Sequence, residues 1–475
     1  HRRGRPHLRA PALPRTFQYV TGFPPEFLWG VATSAYQIEG GVELDGRGPS
    51  IWDTFCEQPG RVRNSDDGRI AADHRRRMAE DVALLGEFGV GAYRFSIAWP
   101  RVQPDGRGAI SQSGLDFYRS LVDRLLDAGV EPVITLYHWD LPQALEDAGG
   151  WPARETAYRF SEYAAAMGAA LGDRVRRWST ICEPWCVSML GYASGIHAPG
   201  RSEPGAAVAA AHHLLLAHGL AVDALRAGVS GRPEIAITVN PYPVLAASAS
   251  EADVDAARRV DGVANRLWYD AVLLGSYPED VLVDFSTVSD LAHILDGDLA
   301  VISRPIDAIG VNYYRRHHAR FAAGASAGPP TSTWPGSPDV ELVDPGVATT
   351  ATGWAIEPDG LRETLLRLSE DYDALPVYVH ESGAAFDDQP DAAGYVDDQD
   401  RLAYLRDHVR MTQEAVAAGV DLRGFFVWSF LDNFEWAEGY AIRFGIVRVD
   451  YETQRRTPKA SAEWYSHLAR TGEVS

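Results

Sequence analysis

The sequence predicts a (β/α)₈ TIM barrel in the α/β class, a single domain with long loops at the C-terminal face of the strands. Three observations predict it. Eight short, near-continuous apolar runs recur along the chain, as in strands of a parallel sheet covered on both faces. Helix-length amphipathic segments separate several of them. The phosphate-binding turn that an open doubly wound sheet usually carries after its first strand is missing: "GVATSAYQIEGG" holds no G-x-G-x-x-G, and no Walker A motif occurs anywhere. The 475 residues suit two or three domains or one large barrel. With no internal repeat and no domain-splitting linker, residues 21–470 read as the barrel and residues 1–20 as a flexible basic tail.

The elements follow in order. "FLWGVAT" (27–33) is the first strand. The helical pattern "RRRMAEDVALLGEFG" (75–89) leads to the second strand, "GAYRFSI" (91–97). "GLDFYRSLVDRLLDAG" (114–129) leads to the third, "PVITLYH" (132–138), and the fourth is "RRWSTICE" (176–183). A long apolar helix, "AAVAAAHHLLLAHGLAVDALRAG" (206–228), precedes the fifth strand, "EIAITVN" (234–240). The sixth and seventh are "AIGVNYY" (308–314) and "PVYVHES" (376–382). "DRLAYLRDHVRMTQEAVAAG" (400–419) leads to the eighth, "GFFVWSF" (424–430). Several helices end at Gly, as C-terminal caps do. The Gly/Pro/Ser-rich stretch 322–346 follows the sixth strand and is expected as a long loop over the C-terminal face, either a disordered linker or a lid.

Composition excludes several functions. The formal charge is −21, from 44 basic and 65 acidic residues, which argues against nucleic acid as a partner. No run of about 18 apolar residues is evident, so no membrane span is expected. Cys56, Cys182 and Cys186 are too few for a disulfide framework, and no His cluster accompanies them to make a metal site. The N-terminal stretch lacks the apolar segment of a secretory signal, so a cytoplasmic location is expected. No cofactor is implied, and the oligomeric state is left open. The 13 Trp and 20 Tyr are mostly core material, but a Trp excess also suits a cleft in which sugar rings stack on indole faces.

In a barrel of this kind, functional groups come from the C-terminal ends of the strands. Those ends carry Gln37, Arg94, His138, Glu183, Asn240, Asn312 with Tyr314, Glu381 and Trp428. Any one of them could be structural; eight strand ends that all carry polar or aromatic residues at one face are hard to explain by packing. Glu183 and Glu381 stand out, because a buried carboxylate is costly unless it is paired or has a task. The fourth and seventh strands lie across the barrel mouth, and two facing carboxylates suit glycoside hydrolysis. Arg94 and Tyr314, with Asn312 beside them, are expected to hold Glu381 ionised as a nucleophile. Glu183, with less such support, is expected to keep its proton as general acid.

The motifs "FLWGVATSAYQIEG" (27–40), "YRFSIAWPR" (93–101), "TLYHWDLPQ" (135–143), "GYASGIHAPG" (191–200), "GVNYY" (310–314), "VWSFLDNFEWAEGY" (427–440) and "RFGIVRVD" (443–450) carry a further signal. With them the chain resembles family 1 glycoside hydrolases, the retaining β-glucosidase family, over about residues 20 to 470. The resemblance implies that Glu183 is the acid/base and Glu381 the nucleophile, hydrolysing β-glycosides of gluco- or galacto-configured sugars. It implies that Gln37, His138, Glu435 and Trp436 bind the sugar's 3-, 4- and 6-hydroxyls, with Trp139 next to His138. It implies Trp428 as stacking platform with Phe444 in the same subsite, Trp354 on the aglycone side and Trp151 on the sugar side.

Both glutamates have unusual neighbours. The family pattern Asn-Glu-Pro is here Cys182-Glu183-Pro184, and Thr-Glu-Asn-Gly is here His380-Glu381-Ser382-Gly383. The Asn replaced by Cys182 is understood in the family to bind the sugar 2-hydroxyl, a contact that strengthens in the transition state. A thiol is a poor substitute. Two expectations follow: an ordinary β-glucosidase that tolerates the cysteine, or an enzyme whose substrate differs at C2, with Cys182 making room and His380 helping if it points inward. A cysteine nucleophile has no adjacent base to support it. A transglycosylase on the same scaffold and a sugar-binding pseudoenzyme are the remaining alternatives, the latter opposed by the presence of both glutamates.

Overall fold

The computed structural model describes residues 22–325, 332–372 and 375–474. The tail expected over 1–20 lies outside them. The eight expected strands are all present, as β1 (Leu28–Ala32), β2 (Ala92–Ser96), β3 (Glu131–Tyr137), β4 (Arg177–Cys182), β5 (Glu234–Val239), β6 (Ala308–Asn312), β7 (Val377–Ser382) and β8 (Leu422–Trp428). They close into one barrel, in chain order, with β8 pairing back to β1. Every pairing is parallel. The (β/α)₈ expectation is met.

Crossover helices form where the four helical patterns lie, at His74–Phe88, Gln112–Asp127, Pro204–Gly228 and Gln399–Ala417; Glu155–Leu171 and Asp359–Asp371 are two further ones that those patterns do not anticipate, and Ala460–Thr471 closes the ring. The Ser111 hydroxyl accepts the Gly114 N–H at the start of one, and Gly89 ends another in the left-handed conformation. Pro204–Gly228 corrects the reading that no stretch is apolar enough to span a membrane: by length and composition it qualifies. Most of it is buried inside the fold, so its apolar surface is used in packing against the barrel.

Two cores result. A large one fills the space between strands and helices. A small one sits inside the barrel, built from Ala32, Ala92, Val133, Ala236, Ala308, Tyr378, Phe426 and Trp428. Two strand glycines make room for large side chains inside the barrel. A Cβ on Gly30 would lie 2.4 Å from the Phe426 ring, and one on Gly310 would lie 2.2 Å from Nδ1 of His380.

The register slips at the two strands that matter most. The β4–β5 pairing shifts between Ser179 and Cys182, and the β7–β6 pairing between Val379 and Glu381. Such irregularities re-aim side chains at barrel rims. Here they turn Cys182 and Glu381 at the strand ends.

The long stretch after β6 is not a bare linker where it is described. Val340–Leu342 pairs with His317–Phe321, which pairs with Val244–Ala246 in a three-stranded sheet. Trp334 is buried against Trp185 and His317, with ring centroids at 5.4 and 5.7 Å.

Candidate active site

A cleft of about 640 Å³ opens at the C-terminal mouth of the barrel, with Glu183 and Glu381 in its lining. Both side chains are buried. Glu381 Oε1 accepts from Arg94 Nη1 at 2.5 Å, and its Oε2 accepts from the Tyr314 hydroxyl at 2.8 Å. The Arg94 guanidinium is almost fully enclosed, so little water screens its charge.

Glu183 is held differently. Asn312 Nδ2 donates to its Oε1 at 2.6 Å and the Cys186 thiol donates to its Oε2 at 2.9 Å. The expectation that Asn312 supports Glu381 is therefore corrected, because its amide is spent on the other glutamate. Burial first, and then the charge of Glu381, push the Glu183 carboxyl up from 4.5 to about 7, against the pull of those two hydrogen bonds. Glu183 is also left-handed, at φ 51°, as are Trp139 at 80° and Trp436 at 48°. A non-glycine residue held there costs about 1–3 kcal/mol, and three such residues line one cleft.

Cys182 lies wholly below the cleft surface. Its Sγ accepts from Arg94 Nη2 at 3.2 Å and Asn312 Nδ2 at 3.5 Å, and its S–H donates to Glu381 Oε1 at 3.6 Å. Burial pushes the thiol well above its ordinary range, so it stays protonated beside Arg94. His138, Cys182 and Glu381 bring three ligand-type atoms within 4.8 Å of one another, but Arg94 contacts two of them, so a cation entering there would meet a fixed positive charge.

The remaining residues fall into two groups. His138 stacks between Trp428 and Trp436, with ring centroids at 5.7 and 6.0 Å. Burial pushes its imidazole well down, which keeps it neutral. Trp139 packs on Trp436 at 4.5 Å and donates to the Cys182 carbonyl at 3.0 Å. Gln37 Nε2 donates to the Phe434 carbonyl and to Glu435 Oε2 at 3.3 Å. Glu435 is pushed up to about 8, by burial and by Glu381 and Glu183. Trp354 and Phe444 line the same cleft, 6.0 Å apart, with Tyr314 5.3 Å from Trp354.

Two expected contacts lie elsewhere. Trp151 is fully buried outside the barrel wall, its Nε1 donating to the Tyr137 hydroxyl at 3.0 Å, so it does not line the cleft. His380 points into the barrel, but beneath the site: its Nδ1 meets the Thr238 hydroxyl at 2.8 Å and its ring lies between Tyr378 and Phe426. It fills the space left by Gly310 and cannot assist a sugar. Sequence reading missed Cys186, Trp185, His197, Tyr242 and Arg315, which all line the cleft. The spacing of Cys186, one turn after Glu183, was the available signal for the first.

Two buried glutamates at the mouth of a parallel barrel, one tied to Arg and Tyr and the other raised in pKa, define a site of the glycoside-hydrolase class. The model of the family "Glycosyl hydrolase family 1" matches residues 19–474, and the chain belongs to that family. It is a glycoside hydrolase acting on O-glycosyl bonds. It is 49% identical to a thermostable β-glucosidase B of Thermobispora bispora, over 94% of this chain and 90% of that one. It is 44% identical to a bifunctional β-D-glucosidase/β-D-fucosidase of Bifidobacterium breve, over 93% and 97%. Among solved structures, a psychrophilic β-glucosidase of Micrococcus antarcticus superposes with a TM-score of 0.92 at 47% identity, over 95% and 98% of the two chains. The Thermotoga maritima β-glucosidase in complex with glucoimidazole superposes at 0.90 with 43% identity, over 96% and 100%.

Proposed function

We propose that the protein is a β-glucosidase working by double displacement, with Glu381 as nucleophile and Glu183 as acid/base. The observation that carries this is the asymmetry of the two carboxyls. Glu381 is gripped by a buried guanidinium at Oε1 and a phenol at Oε2, which fix its position for attack. Glu183 is raised to about 7 and holds the proton that the leaving oxygen needs. Glu381 attacks the anomeric carbon while Glu183 protonates the departing oxygen. Glu183, now ionised, takes a proton from water, which attacks the glycosyl-enzyme and restores Glu381. The family's retaining chemistry and the β-glucosidase relatives support this reading. The test is the anomer first formed from an aryl β-glucoside, read by proton NMR. The β-anomer supports it; the α-anomer refutes it.

A second reading concerns the sugar 2-position. The Cys182 thiol is short, wholly buried and engaged with Arg94, Asn312 and Glu381, so the 2-hydroxyl receives no amide from position 182. On this reading the enzyme discriminates weakly between glucosides and their 2-deoxy counterparts. Kinetics on that matched pair test it, and a strong preference for the glucoside would overturn it. Transfer to an acceptor other than water uses the same glycosyl-enzyme and is read from the product ratio in the presence of an alcohol.

A further inference from the structure

Arg315 lines the cleft beside Tyr314, the residue whose hydroxyl reaches Glu381. Its guanidinium carbon lies 5.0 Å from the centre of the Trp354 ring. Among the described residues no carboxylate pairs with it and no acceptor takes its N–H groups. That is unusual in a chain with 65 acidic residues against 44 basic ones. Its neighbour Arg316 shows the ordinary case, paired with Glu357 at 3.3 Å and Glu363 at 2.5 Å. Arg63, the other arginine at the cleft, pairs with Glu438 at 3.3 Å. The Trp354 face answers only part of that charge; a half-buried guanidinium with no carboxylate or acceptor is costly, and burial pushes the Arg315 pKa down.

The groups around Arg315 do not answer its charge. Tyr242 and Cys186 lie within its electrostatic reach, and burial holds both in their neutral forms. They connect to the acid/base: Asn240 Nδ2 contacts the Tyr242 hydroxyl at 3.1 Å and Cys186 Sγ at 3.4 Å, and Cys186 donates to Glu183. Arg315 is therefore on the side from which the leaving group departs. The walls there are aromatic: Trp354, Trp185 and Tyr242. An aromatic slot containing an unanswered guanidinium fits a flat ring bearing a planar anion, which Arg can engage with two parallel hydrogen bonds.

We propose that Arg315 anchors a carboxylate on the leaving group, so that the cleft takes β-glycosides of aromatic acids. The inference rests on the β-glucosidase reading above and adds the aglycone class. The test compares 4-carboxyphenyl β-glucoside with its methyl ester on the wild type, Arg315→Gln and Arg315→Lys, as the ratio of the two kcat/KM values. The comparison across variants cancels the difference in leaving-group acidity. Arg315→Gln is expected to lower the acid-to-ester ratio about 10- to 100-fold, the range of a hydrogen bond to a charged group. Arg315→Lys is expected to keep part of it, since the charge remains and the fork is lost. A ratio unchanged in Arg315→Gln overturns the proposal. The uncleavable S-linked pair, measured by calorimetry, separates the two claims. If the wild type cleaves neither O-glycoside but Arg315→Gln still selectively weakens the S-linked acid, the β-glucosidase reading fails and the anchor stands. If the S-linked acid and ester lose affinity equally, the anchor is refuted.

Discussion

Cys186 donates its thiol hydrogen to Oε2 of Glu183 at 2.9 Å, from one helical turn further along the chain. That bond favours the ionised carboxylate and opposes the burial that raises it. The proton on Glu183 is thus set by a local contest in which a second cysteine takes part.

The pH dependence follows from that contest. Glu183 must be protonated to act as acid, and its carboxyl is raised to about 7, so kcat/KM falls as pH rises through about 7. Cys186→Ala removes a bond that lowers this pKa, so the basic limb moves to higher pH. A full pH–rate profile of both proteins checks the direction; a limb that moves down contradicts it.

Glutamine variants separate the two roles. Glu381→Gln loses at least ~10³-fold in kcat on every glycoside, since no covalent intermediate forms. Glu183→Gln loses most on leaving groups that need protonation and least on dinitrophenolate, which departs without it. Kinetics over a series of aryl glucosides give the slopes.

Cys182→Asn restores an amide facing the 2-hydroxyl. We expect kcat/KM on an aryl β-glucoside to rise about 10-fold or more while the 2-deoxy-glucoside gains little, because a hydrogen bond that tightens in the transition state is returned to one substrate only. Equal changes on both substrates would remove the role given to position 182.

Stability carries the mark of the site. Folding takes Glu435 from 4.5 to about 8, so its proton is bound more tightly in the folded state. The resulting stabilisation is complete below pH 4.5 and lost as pH rises through 8. Glu435→Gln is expected to lose less stability above pH 8 than the wild type does, leaving its Tm there about 2–5 °C higher. Thermal melts across pH check it.

Trp151→Phe separates a residue that supports the wall from one that binds sugar. Its indole bonds the buried Tyr137 hydroxyl and packs on Phe160. We expect a stability loss of about 1–3 kcal/mol, seen in denaturant unfolding, without the rise in KM that losing a sugar contact would bring.

Much of this was legible in the chain. Strands covered on both faces read as unbroken apolar runs, so all eight barrel strands could be placed, and strand ends then indicated Arg94, Glu183, Tyr314 and Glu381. What sequence could not give was the direction of each side chain after a register slip. Asn312 sits one strand from Glu381 yet bonds Glu183. His380 adjoins the nucleophile position in sequence but fills the barrel interior, because Gly310 leaves it the space. Trp151 matched a motif, and only its packing behind Tyr137 shows that it supports the wall. The helix Pro204–Gly228 was legible to within two residues as 206–228; what the criterion of an unbroken apolar run did not reveal is that, despite its three histidines, it is apolar enough by length and composition to span a membrane.

The most direct test of the account is to identify the residue that carries the sugar. A dinitrophenyl 2-deoxy-2-fluoro-β-glucoside slows both steps and lets the glycosyl-enzyme accumulate, so that digestion and mass spectrometry can locate it. The account predicts one fluoroglucosyl unit on the peptide containing His380, Glu381 and Ser382, absent in Glu381→Gln. A label on Cys182, or turnover to the α-anomer with no label at all, would contradict it.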